Sequence, residues 1–192
     1  MDPLQTIIDW VKKQLGSTSP DPRWEEGLHA YQRGKAFLSQ KNKEREALCC
    51  FDMAIECGYE GGGTIYIDRG ICLQALGFDL DAIDDFNKVI PLASEDANLY
   101  YMRGLSRGAT GDFDGAISDH EEAVRLSKAH SPSNDAWNNY ARETGWPSAT
   151  AFYESYLSMA RMNKSFYEKA PEAWQEIKKR DSSNWRRKPQ GT

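Results

Sequence analysis

The stretch YYMRGLSRGATGDFDGAISDHEEA, Tyr100 to Ala123, decides the fold. Gly111-Asp112 divides it, a helix stop followed at once by a helix start. Before the division Tyr100 and Gly104 stand four residues apart, and after it Ala116, His120 and Ala123 fall at i, i+4 and i+7. Each set shares one face of a helix, so the stretch reads as two amphipathic helices joined by a tight turn.

The same pattern occurs twice upstream. Arg33-Gly34, Arg69-Gly70 and Arg103-Gly104 place their glycines at intervals of 36 and 34 residues. Ala30, Tyr66 and Tyr100 precede those glycines by four, and Ala47, Ala82 and Ala116 recur at 35 and 34. Phe51, Phe86 and His120 follow the alanines by four, then Ala54, Val89 and Ala123 by three more. Glycine in a helix costs about 1 kcal/mol, so its recurrence at one column implies that a neighbouring helix passes close by. A single hairpin cannot bury its apolar face alone, and neighbours must stack. The expectation is an all-α chain of helix-turn-helix repeats.

These columns resemble the tetratricopeptide repeat, whose period is 34 residues. Residues 97–130 match best; 63–96 lack an aromatic after the turn aspartate and carry Pro91, and 22–60 have a longer turn without glycine. The resemblance implies a right-handed α-solenoid with three repeats over residues 21–130. Residues 131–165 read as a degenerate fourth, in which Trp137, Tyr140 and Ala141 take first-helix positions and Phe152, Tyr153 and Tyr156 cover the end of the core. Extra elements flank the array: an amphipathic helix and linker over 1–20, and a helix with a basic, disordered segment over 166–192.

Positions equidistant from a turn face one another across a hairpin. Arg69 and Asp85 each lie eight residues from Gly77, and Arg103 and Asp119 eight from Gly111. Two ion pairs are therefore expected, Arg69–Asp85 and Arg103–Asp119. In the first repeat Cys50 stands where the aspartate would be, so Arg33 needs another partner.

The resemblance implies that the first helices line a concave groove for a peptide or amphipathic helix. At its positions stand Tyr31, Lys35 and Leu38, then Ile67, Asp68 and Ile71, then Tyr101, Met102 and Leu105. That set is unusually apolar for solvated surface, as if meant to be covered. Asp68 stands where the family's carboxylate clamp needs asparagine, which disfavours grip on an acidic chaperone tail. The expected function is a protein-interaction scaffold or adaptor; the alternative is a chaperone-like or regulatory subunit shielding an apolar segment of one client.

Enzymatic readings find little. His29, His120 and His130 are scattered, and adjacent carboxylates such as Asp84-Asp85 diverge on a helix. Gly61-Gly62-Gly63 lacks the lysine and hydroxyl of a phosphate loop. Cys49, Cys50, Cys57 and Cys72 form no Cys-x-x-Cys, so no metal and no cofactor are expected. With a net charge of −5, the chain has no general attraction for nucleic acid or anionic membrane. Arg186-Arg187-Lys188 beside Trp185 is a weak signal for nucleic acid. No apolar run reaches the roughly 20 residues of a membrane span, and no secretory signal is read at Met1–Leu15, so cytoplasm is the expected location. A homo-oligomer is left open.

Asp2-Pro3 starts a helix whose Leu4, Ile7, Ile8, Val11 and Leu15 form an apolar stripe with Trp10 beside it. The stripe caps the array, occupies its groove, joins two copies or touches a membrane surface, the last least favoured because two lysines face two aspartates; packing on the protein's own body is the favoured reading. Deleting residues 1–20 is then expected to expose apolar surface that binds a hydrophobic dye. Unchanged dye binding with intact folding contradicts that role.

Overall fold

A computed structural model describes residues 22–129, 136–173 and 175. The expected helix at 4–15, the basic run 186–188 and most of the expected last helix lie outside the described residues. Eight α-helices are described: α1 Pro22–Leu38, α2 Glu44–Glu56, α3 Thr64–Ala75, α4 Asp79–Val89, α5 Ala97–Thr110, α6 Phe113–Ala129, α7 Ala136–Glu143 and α8 Ala149–Lys169. The described residues contain no strand. The chain divides into two compact units, Met1–Cys72 and Leu73–Thr192.

The periodic columns form the core. Ala47, Ala82 and Ala116 are buried, as are Phe51, Phe86 and His120, and Ala54, Val89 and Ala123. The conserved spacing of apolar side chains along each second helix therefore corresponds to burial on one face.

The local signals are visible at α5 and its turn. Asp96 caps α5 by accepting from the Asn98 amide at 2.9 Å. Gly111 closes it at φ +82°, the left-handed conformation that side chains resist, and Asp112 accepts from the Gly115 amide in the first turn of α6. The first repeat solves the same problem without glycine. Asn42 takes φ +61° there, as asparagine tolerates better than most residues.

The helical glycines set how near the paired helices approach. A Cβ on Gly34 would lie 2.5 Å from the Phe51 ring, and one on Gly104 would lie 2.8 Å from His120. Each ring rests on bare backbone. Gly108 differs, because a Cβ there meets only Ala116 at 3.8 Å.

Gly34→Ala and Gly104→Ala are each expected to lower stability by about 1–3 kcal/mol, since overpacking outweighs the gain in helix propensity. Gly108→Ala is expected to raise it by up to about 1 kcal/mol. Urea titration followed by circular dichroism compares the three.

Candidate functional site

In the first unit α1 and α3 bring three of the groove positions together. The Tyr31 hydroxyl donates to Asp68 Oδ2 at 2.8 Å, and Lys35 Nζ donates to Asp68 Oδ1 at 3.3 Å. Tyr31 Oη also lies 3.4 Å from Thr64 Oγ1. Thr64 thus neighbours Tyr31 while Asp68, one turn on, neighbours Lys35, so the helices run in the same direction with matched turns. Ile71 and Leu38 follow one turn later on their respective helices, both half-buried, as is Ile67.

Asp68 is 8% exposed, and a carboxylate so placed needs partners. Tyr31 and Lys35 supply them. Burial, with Asp68 adding to it, pushes the Tyr31 phenol up to about 12, so it stays a donor at neutral pH. The Tyr31 ring also packs near Tyr59 and Phe51, with centroids at 5.1 and 5.8 Å. Burial raises the Cys72 thiol to about 12, with Asp68 reinforcing the shift, which removes it as a nucleophile.

Arg69 pairs with Asp52 of α2 at 3.0 Å, a contact with the preceding repeat that equidistance from a turn does not reveal. The expected Arg69–Asp85 pair would join residues of different units and stays an expectation. Arg33 meets the Met53 sulfur at 3.6 Å.

In the second unit Arg103 grips Asp119 through two bonds, Nε to Oδ2 at 2.9 Å and Nη2 to Oδ1 at 2.7 Å. Arg107 Nη1 approaches Asp119 Oδ2 at 3.1 Å. Arg103 also donates to Asn87 Oδ1 at 2.7 Å, reaching α4 of the preceding repeat as Arg69 reaches α2. Asn87 occupies the column that Asp52 fills one repeat earlier.

The groove positions of this unit are mostly covered. Tyr101 and Met102 are 8% and 7% exposed. Phe152, Tyr153 and Tyr156 of α8 surround the Tyr101 ring at 4.9–5.6 Å. Burial, then a hydrogen bond with Tyr156, raises the Tyr101 phenol. Gln74 Nε2 donates to the Met102 carbonyl and to Ser106 Oγ, and Ser106 donates to Asp79, so this polar edge is also engaged internally. Of the three apolar positions expected to meet a partner, only Leu105 keeps partial exposure. The aromatic side chains of α8 account for the covering of Tyr101.

Leu105 lines a cavity of about 260 Å³ bounded by α5, α6 and α8, with Phe113, His120, Tyr156 and Tyr167 among its walls. His120 is 2% exposed and its Nδ1 has no hydrogen-bond partner. Along α8, Met159, Met162 and Phe166 are 50%, 69% and 58% exposed at i, i+3 and i+7. No helix among the described residues is long and apolar enough to cross a membrane, and no cluster among them has the composition of a metal site.

The hairpins and their columns define a helical-repeat protein. Among solved structures the chain is similar to MamA, residues 41 to the end, from Desulfovibrio magneticus RS-1. Identity is 17%, the match covers 96% of this chain and 99% of that one, and the TM-score is 0.58. A MamA RS-1 ArsTM double mutant aligns at 14% identity over 85% and 88% of the two chains, with a TM-score of 0.44, too slight a likeness to build on. The first likeness is one of fold. No family model matches the sequence, and no curated protein matches it either.

Burial holds the His120 imidazole down at about 4, against an opposing pull from Asp119. Its unfolded value is near 6.5, so its contribution is complete above that pH and is lost as pH falls toward 4. Between pH 7 and pH 4 this group is expected to remove up to about 3 kcal/mol of stability. Asp119, Arg103 and Arg107 remain in the His120→Phe variant, which is expected to show a smaller loss by urea titration at the two pH values. An equal loss contradicts this origin.

Proposed function

We propose that the chain is a tetratricopeptide-repeat module that works as a protein-interaction scaffold or adaptor. It takes a peptide or amphipathic helix along the first helices of its repeats, through Tyr31, Lys35, Leu38, Ile67, Asp68 and Ile71. One observation carries this reading: α1 and α3 run side by side in matched register around Asp68, held by Tyr31 and Lys35. A fixed ion pair orients a partner, while the partly exposed Leu38, Ile67 and Ile71 give it apolar surface. Tyr101 and Met102 are left out because little of either is accessible. The reading assigns no catalytic step, cofactor, nucleic acid or membrane, and its setting is the cytoplasm.

The alternative, shielding of one client's apolar segment, draws on the exposed Met159, Met162 and Phe166. Methionine adapts its shape to varied apolar surfaces, and a stripe of this kind suits an apolar cover.

A photo-crosslinking residue at Ile71 in the full chain, expressed in its native cell, is expected to trap a discrete protein adduct. The same residue at exposed Glu56 on α2 is expected to trap none. Equal yields from both positions, or no adduct from Ile71, contradict the proposed surface. One stoichiometric adduct from Met162 alone favours the shielding reading.

A further inference from the structure

Between α5, α6 and α8 lies a half-open cleft of about 260 Å³, apolar over most of its wall through Leu105, Ala109, Phe113 and Met159. Pockets that take a whole small molecule begin at about 300 Å³, so this space suits one bulky side chain. His120 belongs to the same wall. It is almost wholly buried, and its Nδ1 has no hydrogen-bond partner. Burial keeps the imidazole uncharged at pH 7, and a neutral imidazole has one nitrogen that accepts. A buried polar atom without a partner is unfavourable. A group that is apolar over its body and donates at one edge would fill the cleft and supply the bond. An indole is such a group, with one N–H and no acceptor.

A second hollow adjoins the cleft. Phe113 and Tyr167 line both, stacked at 5.1 Å with ring planes 7° apart. Asp112, Asp114 and Glu168 line the second hollow, each with more than half of its side chain exposed. Lys164 lies 2.6 Å from Asp114 and 3.8 Å from Glu168, and Arg107 lies 3.5 Å from Asp112. Arg107 is shared with Asp119 at 3.1 Å, so three exposed carboxylates divide less than two cations. The Debye length is about 8 Å at physiological salt, so this surplus acts on a cation held directly beside the cleft.

We propose that the cleft docks a segment of a partner protein that presents a tryptophan side chain beside lysine or arginine residues. The indole fills the cleft and donates to the His120 imidazole. The neighbouring cations lie against Asp112, Asp114 and Glu168, and this charge complementarity selects a basic segment over an acidic or neutral one. The site lies within the second unit and does not depend on the proposed surface of α1 and α3.

The test uses the full chain with ¹³C-methyl methionine, titrated with the peptide acetyl-Lys-Lys-Trp-Lys-Lys-amide. The Met159 methyl resonance, assigned by its loss in Met159→Leu, is expected to shift saturably, while that of Met53 on α2 stays in place. A peptide with 1-methyltryptophan, which lacks the N–H, should bind about 5-fold more weakly. His120→Phe should remove that difference. Glutamate in place of every lysine should weaken binding at least about 10-fold. Gly108→Leu should abolish the shift, because Gly108 lines the cleft and a Cβ there meets only Ala116. If that variant does not fold, Ala109→Phe fills the cleft from an exposed position, with the same expectation. No saturable Met159 shift up to about 5 mM peptide overturns the proposal. So does a shift that survives the filled cleft, or equal binding of the 1-methyltryptophan or glutamate peptide. A Met159 resonance that moves with protein concentration before peptide is added would assign the cleft to a second copy, and overturns it as well.

Discussion

An aromatic ring pressed onto a glycine backbone sets the spacing of the hairpins, and the other contacts follow from it. Phe51 lies against Gly34 and His120 against Gly104, each so near that a single added carbon would collide with the ring. With the helices held at that distance, alanine is the residue that fits at the next contact, and Ala47 and Ala116 are buried there. A close-packed interior transmits such constraints, since it has little slack to absorb a change of one methyl group.

Close approach also determines where charge can sit. Asp119 has 4% of its side chain exposed, and two arginines neutralise it; Asp68 has 11%, with Lys35 and Tyr31 as its partners. Breaking one side of a buried pair typically costs 3–5 kcal/mol, so these residues are bound to their positions. The two clusters differ in setting. Asp119 is enclosed by its own hairpin, whereas Asp68 is held between consecutive first helices beside half-buried isoleucines, which gives the first unit a surface with both apolar area and a fixed charge pattern.

The hairpins were legible in the sequence because one physical cause, burial along a face, repeats at one period and writes itself into several columns. Helix ends were legible where a residue has a special conformational role, as at Asp96 and Gly111. Contacts that cross from one repeat to its predecessor were not. Arg69 with Asp52 and Arg103 with Asn87 depend on how adjacent hairpins are offset, which spacing within one hairpin does not encode. Tyr101 and Met102 illustrate a second limit. They stand at first-helix positions, and although Phe152, Tyr153 and Tyr156 read as a cover for the end of the core, spacing alone does not reveal that Tyr101 lies beneath them. A histidine in a column otherwise filled by phenylalanine was the visible hint that this end of the core differs.

The glycine contact links the account from sequence to surface, since the position of α1 in the first unit sets where Tyr31 and Lys35 present themselves to Asp68. A double-mutant cycle on Gly34 and Phe51 measures it most directly. Gly34→Ala and Phe51→Leu should each destabilise the protein, and the double variant should lose less than the sum of the two, because the smaller side chain makes room for the new methyl group. Losses that add to within about 0.5 kcal/mol would mean that the ring and the glycine do not constrain one another, and would contradict the account.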